Sequence, residues 1–193
     1  MRDIVIVGAG GLGREVLSLI EEINEVKPTF NCLGFLDDNF NKGTLVNCKP
    51  ILGAINEDTL EEFTGLCFAI GFGNTQLRKD FFYKIKSSGG VLPNIIHPLA
   101  RIDKHVSTNL SSVNGNIICC NTSIGCNVSL GENNYINIGA VLAHDTMIGS
   151  HNTIMQNCVF NGSIVLEDSC FIGPGVVLNG THKIASEEKI IRS

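Results

Sequence analysis

No run of apolar residues in this sequence approaches the roughly 18 that a membrane-crossing helix needs, so no membrane partner is expected. The opening MRDIVIVGAGG reaches glycine before any long apolar stretch. It therefore resembles a buried strand more than a signal peptide, and the chain is expected to be cytoplasmic. Positive charge is scarce as well: 14 Lys and Arg stand against 19 Asp and Glu, a net charge of −5, with no basic stripe along any segment. That distribution excludes a nucleic-acid backbone as the expected partner. There is no CxxC among the eight cysteines. Cys119, Cys120 and Cys126 come nearest to zinc spacing but lack a second knuckle or a nearby histidine pair, so no metal site is expected. The cysteines are scattered through a chain whose 44% hydrophobic content can build a core without staples, so they are expected to be free, reduced and mostly buried.

What the sequence does have is a period. Stepping by six from Ile118 meets Ile124, Leu130, Ile136, Leu142, Ile148, Ile154, Phe160, Leu166, Ile172, Leu178 and Ile184, all large and apolar. Neither a helix nor a simple strand selects every sixth position while leaving the neighbours polar. The next residue is often glycine or asparagine (Gly125, Gly131, Asn137, Gly149, Asn161, Gly173, Asn179), as a turn with unusual dihedrals would require. The fourth is usually small (Thr122, Val128, Ala140, Thr146, Cys158, Val176). This is the hexapeptide signature. By its resemblance to hexapeptide-repeat proteins, the segment from about residue 100 to about residue 185 is expected to form a left-handed parallel β-helix of three hexads per coil. Such coils commonly associate as trimers. Regular threonine ladders, which a purely structural β-helix of the ice-binding kind would want, are missing.

The first hundred residues follow another logic. A strand (Ile4 to Val7), a glycine turn and an amphipathic helix with Val16, Leu19, Ile20 and Ile23 on one face are followed by a second strand ending at Asp37 and Asp38. CFAIGFGNTQLRKDFFYKI repeats the order of strand, glycine turn (Gly71, Gly73) and helix, which implies a small parallel α/β sheet. The expected organisation is a Rossmann-like α/β domain over residues 1–96 and a β-helix domain over residues 97–193. Gly8, Gly10, Gly11 and Gly13 match a GxGxxG loop between strand and helix, with Asp37 near the place of a ribose-binding acid. Three readings remain for that loop: a nicotinamide cofactor, a nucleotide or nucleotide-sugar, and a structural turn. The domain is too small, and lacks the following catalytic domain, to favour hydride transfer.

GAGGLGREV, GFLDD, the connector His97, Pro98, Ala100 and Ile102, and Asn137 followed by the pair His144-Asp145 form an ordered set. Over about residues 1 to 180 that set resembles the sugar O- and N-acyltransferases that include sialic acid O-acetyltransferase and the bacillosamine N-acetyltransferases. The resemblance implies a homotrimer that transfers an acetyl group from acetyl-coenzyme A to a sugar or nucleotide-sugar in surface-glycan biosynthesis. It implies His144 as general base and Asp145 as the acid that orients it. Gly10, Gly11, Asp37, Asp38 and Asn137 would contact the acceptor, and Thr153, Gly162 and Gly173 would lie along the coenzyme A. The chemistry suits these residue types. Histidine titrates near neutrality and can take the proton that an attacking amine or hydroxyl must lose, a carboxylate fixes its tautomer, and a backbone N–H steadies the developing oxyanion. No thiol nucleophile is required.

The sequence departs from the family pattern at Leu12 and Thr153, where bacillosamine-type enzymes carry histidines, and LNGTHKIASEEKIIRS is expected to stop short of the final coil and tail that help enclose coenzyme A. The alternative reading is accordingly a nucleotide-sugar-binding or scaffolding protein with a degenerate β-helix. A three-histidine zinc site of the γ-carbonic anhydrase kind, using His151 and His182, would need two histidines closer together than His144 and His151.

Overall fold

The computed structural model describes residues 1–191, the side chains of residues 107 and 108 excepted. The chain divides into two compact units, Met1–Gly73 with Asp80–Pro93, and Asn74–Lys79 with the chain from Asn94 onward.

In the first unit the elements are β1 (Arg2–Val7), α1 (Gly11–Val26), β2 (Phe30–Leu36), β3 (Leu45–Val46), β4 (Lys49–Gly53), α2 (Glu57–Glu62), β5 (Cys67–Ile70) and most of α3 (Thr75–Ser87). The sheet order is β3-β4-β2-β1-β5, parallel except for the β3–β4 hairpin. Alternation along β1 sends Val5 and Val7 to the face where Leu60 of α2 and Phe82 and Ile85 of α3 pack. Ile6 faces α1 at Gly13. The four apolar positions expected on α1 are all buried, joined by Leu17. The sequence reading missed β3, β4 and α2, which are short. Helix α2 nevertheless carries a local start signal, since the Asn56 side chain accepts from the Thr59 N–H at 2.8 Å.

The second unit is a left-handed parallel β-helix, three-sided, built of two-residue rungs. Its first face stacks Ile95–Ile96, Ile117–Ile118, Tyr135–Ile136, Thr153–Ile154, Phe171–Ile172 and Lys189–Ile190. The second face stacks Arg101–Ile102, Ser123–Ile124, Val141–Leu142, Val159–Phe160 and Val177–Leu178, and the third Ser129–Leu130, Met147–Ile148, Val165–Leu166 and Lys183–Ile184. Tyr135 pairs with Ile117 and with Thr153, 18 residues away on either side. All twelve sixth-position residues line one core, ten buried and Leu130 and Leu178 partly so. The helix is longer than the sequence reading gave it, because the rungs at Ile95 and Lys189 extend it at both ends. The first coil also differs. Helix α4 (Lys104–Leu110) replaces its third-face rung and inserts Val106 and Leu110 into the core, so Ile95 pairs with Ile117, 22 residues on.

The corners correct the reading of the glycines and asparagines. The left-handed backbone falls three residues after eleven of the twelve aliphatics, at Asn121, Asn127, Asn133, Gly139, Asp145, His151, Asn157, Ser163, Ser169, Gly175 and Glu187, and two residues after Leu178, at Gly180, not one residue after it. The glycines one residue after the aliphatic answer to close approach: a Cβ on Gly131 would lie 2.5 Å from Ser150 Oγ and 2.7 Å from the Gly149 carbonyl in the next coil. Inside one corner an asparagine ladder satisfies buried backbone. Asn94, Asn116, Asn134 and Asn152 each accept, through Oδ1, the backbone N–H of the residue above, at 2.7–2.9 Å. The Asn116 and Asn134 amides donate to the Gly131 and Gly149 carbonyls at 2.9 Å.

Buried groups left without these partners pay their full desolvation cost. Asn134→Ala is therefore expected to destabilise the protein by about 2–4 kcal/mol, whereas Asn161→Ala, at an exposed corner, should fall within about 0.5 kcal/mol. Chemical denaturation of both variants checks the contrast.

Candidate active site

His144 and Asp145 occupy the corner between the second-face rung Val141–Leu142 and the third-face rung Met147–Ile148. The inward Leu142 and Ile148 anchor the corner from both sides and turn the residues between them to the surface. Asp145 takes the left-handed conformation (φ 59°), which Asn and Asp tolerate better than most side chains. Its Oδ2 lies 2.8 Å from His144 Nδ1, and its Oδ1 accepts from the Asn127 amide at 2.9 Å. The hydrogen bonds from Asn127 and then His144 hold the Asp145 carboxyl below its ordinary range. An ionised carboxylate only accepts, so Nδ1 carries the imidazole proton and Nε2 presents its lone pair. Among the described residues Nε2 has no partner, and the side chain is 60% exposed.

One coil further, Gly162 lies against the imidazole. A Cβ built there would stand 2.8 Å from His144 Cε1 and 3.0 Å from Nε2, and the φ of +85° independently favours glycine. The ring thus rests on the Gly162 backbone. The Ser163 N–H donates to the His144 carbonyl at 3.0 Å, pinning this corner to the next, and the Gly162 N–H has no acceptor among the described residues.

The other site candidates of the second unit lie elsewhere. Asn137 is buried at the corner between the first and second faces, where its Oδ1 accepts from the Ile138 N–H at 2.7 Å. Gly173 stands two coils beyond Asn137 at that same corner and is internally bonded, its N–H to the Ile190 carbonyl and its own carbonyl to Cys158 Sγ. Thr153 is fully buried on the first face, its hydroxyl without a hydrogen-bond partner. The structure joins His144, Asp145 and Gly162 and separates Asn137, Thr153 and Gly173 from them.

In the first unit Gly10 and Gly11 open α1 with nothing within 4 Å of a built Cβ, whereas Gly13 sits against the Gly8 carbonyl. Asp37 is buried. Its Oδ2 accepts from the Ala9 N–H at 2.7 Å and its Oδ1 from the Asn39 backbone and side chain, so it clamps the glycine loop to the end of β2. Asp38 is exposed and accepts from the Ile55 N–H. The connector has a turn role: His97 Nδ1 accepts from the Leu99 N–H and its carbonyl from the Ala100 N–H, both at 2.9 Å.

Sequence reasoning missed Asn127 and Arg78. Asn127 could have been found by stepping back one coil from Asp145. Arg78 had no such signal: NTQLRKDFF looks solvated, yet Arg78 is fully buried, with Nη2 3.0 Å from Asn133 Oδ1 and the guanidinium 5.7 Å from the Tyr135 ring. Burial lowers its pKa to about 10. His151 lies in this second cluster, buried, its Nδ1 3.0 Å from the Asn133 amide. All eight cysteines are free, five of them buried, and burial raises the thiol pKa of Cys32, Cys67, Cys158 and Cys170. Among the described residues no three His, Cys, Asp or Glu side chains converge as a metal site, and no helix is long and apolar enough to cross a membrane.

Comparison with known proteins agrees with both units. Residues 3–85 match the PglD N-terminal domain and residues 145–180 the six-repeat bacterial transferase hexapeptide. A GDP-perosamine N-acetyltransferase of Escherichia coli O157:H7 is 29% identical over 177 residues, 90% of this chain and 76% of that protein. The acetyltransferase domain of PglB from Neisseria gonorrhoeae FA1090, in complex with acetyl coenzyme A, superposes with a TM-score of 0.81 at 20% identity, covering 97% of this chain and 87% of that one. PerB from Caulobacter crescentus, in complex with CoA and GDP-perosamine, gives 0.67 at 21% identity, covering 95% and 91%. In both units the chain is thus similar to the hexapeptide-repeat sugar O- and N-acyltransferases, and it shares the fold of the solved acetyltransferases.

Burial is the main cause that lowers the His151 pKa from 6.5. The unfolded chain takes up this proton at the ordinary value and the folded chain only at lower pH. Stability is therefore full above about 6.5 and falls as pH drops through the window below it. Thermal melts between pH 7 and pH 5 should show a steeper decline for the wild type than for His151→Asn, which keeps a residue tolerant of the left-handed backbone and cannot be protonated there.

Proposed function

We propose that this protein transfers the acetyl group of acetyl-coenzyme A to the amino group of a nucleoside-diphosphate sugar, with His144 as general base. The observation that carries this reading is the His144-Asp145 pair, solvent-facing, with Nδ1 held by the carboxylate and Nε2 free above Gly162. The relatives support the choice of substrates, being named as N-acetyltransferases of a GDP-linked sugar or held in complex with acetyl coenzyme A.

Donor binding suits this corner on chemical grounds: an unhindered base, a glycine without a side chain beside it, and a backbone N–H left open at Gly162. Bound acetyl-coenzyme A supplies the acyl group as a thioester, whose carbonyl carbon a nitrogen nucleophile attacks. His144 Nε2 takes the proton that the acceptor nitrogen loses as the N–C bond forms, and returns it toward the departing thiolate sulfur. Asp145 keeps the proton of Nδ1 in place and stabilises the imidazolium between those two transfers. The Gly162 N–H is suited to donate to the carbonyl oxygen as it gains charge. No covalent enzyme intermediate is involved, because the acceptor nitrogen attacks the thioester directly. Gly10 and Gly11, at the start of α1, are assigned to the phosphates of the acceptor, where open backbone N–H groups and the helix dipole favour an anion. Asp38 and Asn137 are assigned to acceptor contacts, and Asp37 to holding the loop that makes them. Thr153 and Gly173 are assigned no donor contact, both being internal to the single chain. The hexapeptide architecture supports a homotrimer, and on this reading the protein acts in the cytoplasm.

His144→Ala is expected to keep the fold and the binding of both substrates while lowering kcat about 10²-fold or more. The check is thiol release from acetyl-coenzyme A with GDP- and UDP-linked amino sugars as acceptors. Full activity in the variant would refute the assignment of the base.

A further inference from the structure

Asp145 has two carboxylate oxygens, and the structure gives each a separate donor. His144 Nδ1 lies 2.8 Å from Oδ2, and the Asn127 amide donates to Oδ1 at 2.9 Å. Asn127 and Asp145 stand 18 residues apart, at the same left-handed corner position of successive coils, with the same φ of 59°. Matched backbones stack the amide onto the carboxylate. The fold fixes that arrangement, because the Asp145 N–H donates to the Cys126 carbonyl at 3.1 Å and ties the two corners together.

An exposed aspartate beside a histidine would otherwise rotate freely about its side-chain torsions, and the pairing would lapse for part of the time. A second donor on the other oxygen removes that freedom. Asparagine is also an ordinary occupant of left-handed corners in this helix, as at Asn121, Asn133 and Asn157. Tolerance of the backbone explains an asparagine at position 127, but glycine would satisfy it equally. What glycine cannot supply is the hydrogen bond to Asp145.

We propose that Asn127 is a positioning residue for the acetyl-transfer reaction: by fixing the Asp145 carboxylate it holds His144 in the tautomer with the proton on Nδ1 and the lone pair on Nε2. The proposal rests on the His144-Asp145 reading and extends the dyad to a three-member relay across two coils.

The first measurement needs no acceptor. The ¹⁵N shifts of the neutral His144 ring in the wild type, Asn127→Gly and Asp145→Gly report the fraction of each tautomer. Both substitutions leave a residue that accepts the left-handed backbone. Free imidazole favours the proton on Nε2, so the expected order is mostly Nδ1–H in the wild type and a shift toward Nε2–H in Asn127→Gly. Asp145→Gly should show the largest shift. In the thiol-release assay Asn127→Gly should lower kcat about fivefold with KM for both substrates unchanged, and should add nothing in the Asp145→Gly background. If Asp145→Gly shifts the tautomer and Asn127→Gly does not, the role of Asn127 is refuted and the dyad stands. If neither shifts it, the dyad reading falls and the proposal with it. A kcat loss from Asn127→Gly that persists in full without Asp145 would equally overturn the relay.

Discussion

Everything in the β-helix depends on one constraint: successive coils must lie in register, 18 residues apart beyond the first coil, so that the backbone N–H groups of each rung meet carbonyls of the neighbouring rung. Val141 over Val159 and Leu142 over Phe160 are one instance. Two consequences follow. Each hexad must turn a corner, which forces a left-handed residue every six positions. Each side chain also finds, directly above and below, the side chain of the same hexad position. The asparagine ladder uses the second consequence inside the prism, and the pair Asn127 and Asp145 uses it outside.

The corner of His144 and Asp145 is an ordinary corner with unusual occupants. Its left-handed position takes an aspartate where neighbouring coils have Asn127 and Ser163. The preceding position, whose side chain faces out, takes the histidine, between Cys126 below and Gly162 above. A larger residue at position 162 would occupy the volume of the ring, so the glycine is required by the histidine as well as by its own φ. The side chains of the adjacent residues His144 and Asp145 meet at 2.8 Å at a corner where Asp145 takes the left-handed conformation.

Much of this was legible in the sequence, unevenly. The sixth-position aliphatics gave architecture and core together, since a period of six has one structural explanation. The placement of His144 and Asp145 on a surface corner followed from where HD falls within the hexad. The reason for the glycines was misread, because composition at a position does not distinguish a residue chosen for its φ from one chosen for lack of a Cβ. Gly131 and Gly139 look alike in the sequence, yet the first is limited by the backbone of the next coil and the second has a φ of 70°. Arg78 and His151 were illegible for another reason. Their burial arises from contact between residues 55 positions apart in the case of Arg78 and Asn133, and nothing in the local pattern encodes it.

The glycine loop of the first unit separates the same two causes. Gly13 is bare because the Gly8 carbonyl occupies the place of its Cβ, Gly71 because it meets the Gly13 backbone at 2.6 Å, and Gly8 because its φ is +99°. These three account for the close packing of α1 on β1 and β5, and they would be glycine in a purely structural turn. Asp37 belongs with them, since both its oxygens are taken up by the loop it steadies. Gly10 and Gly11 do not: neither has positive φ nor any atom within 4 Å of a built Cβ. The fold leaves them free to carry side chains. Nothing within 4 Å requires them bare, at the start of a helix whose first turn carries no acidic residue, and that is why these two positions are the part of the loop proposed for an acceptor phosphate.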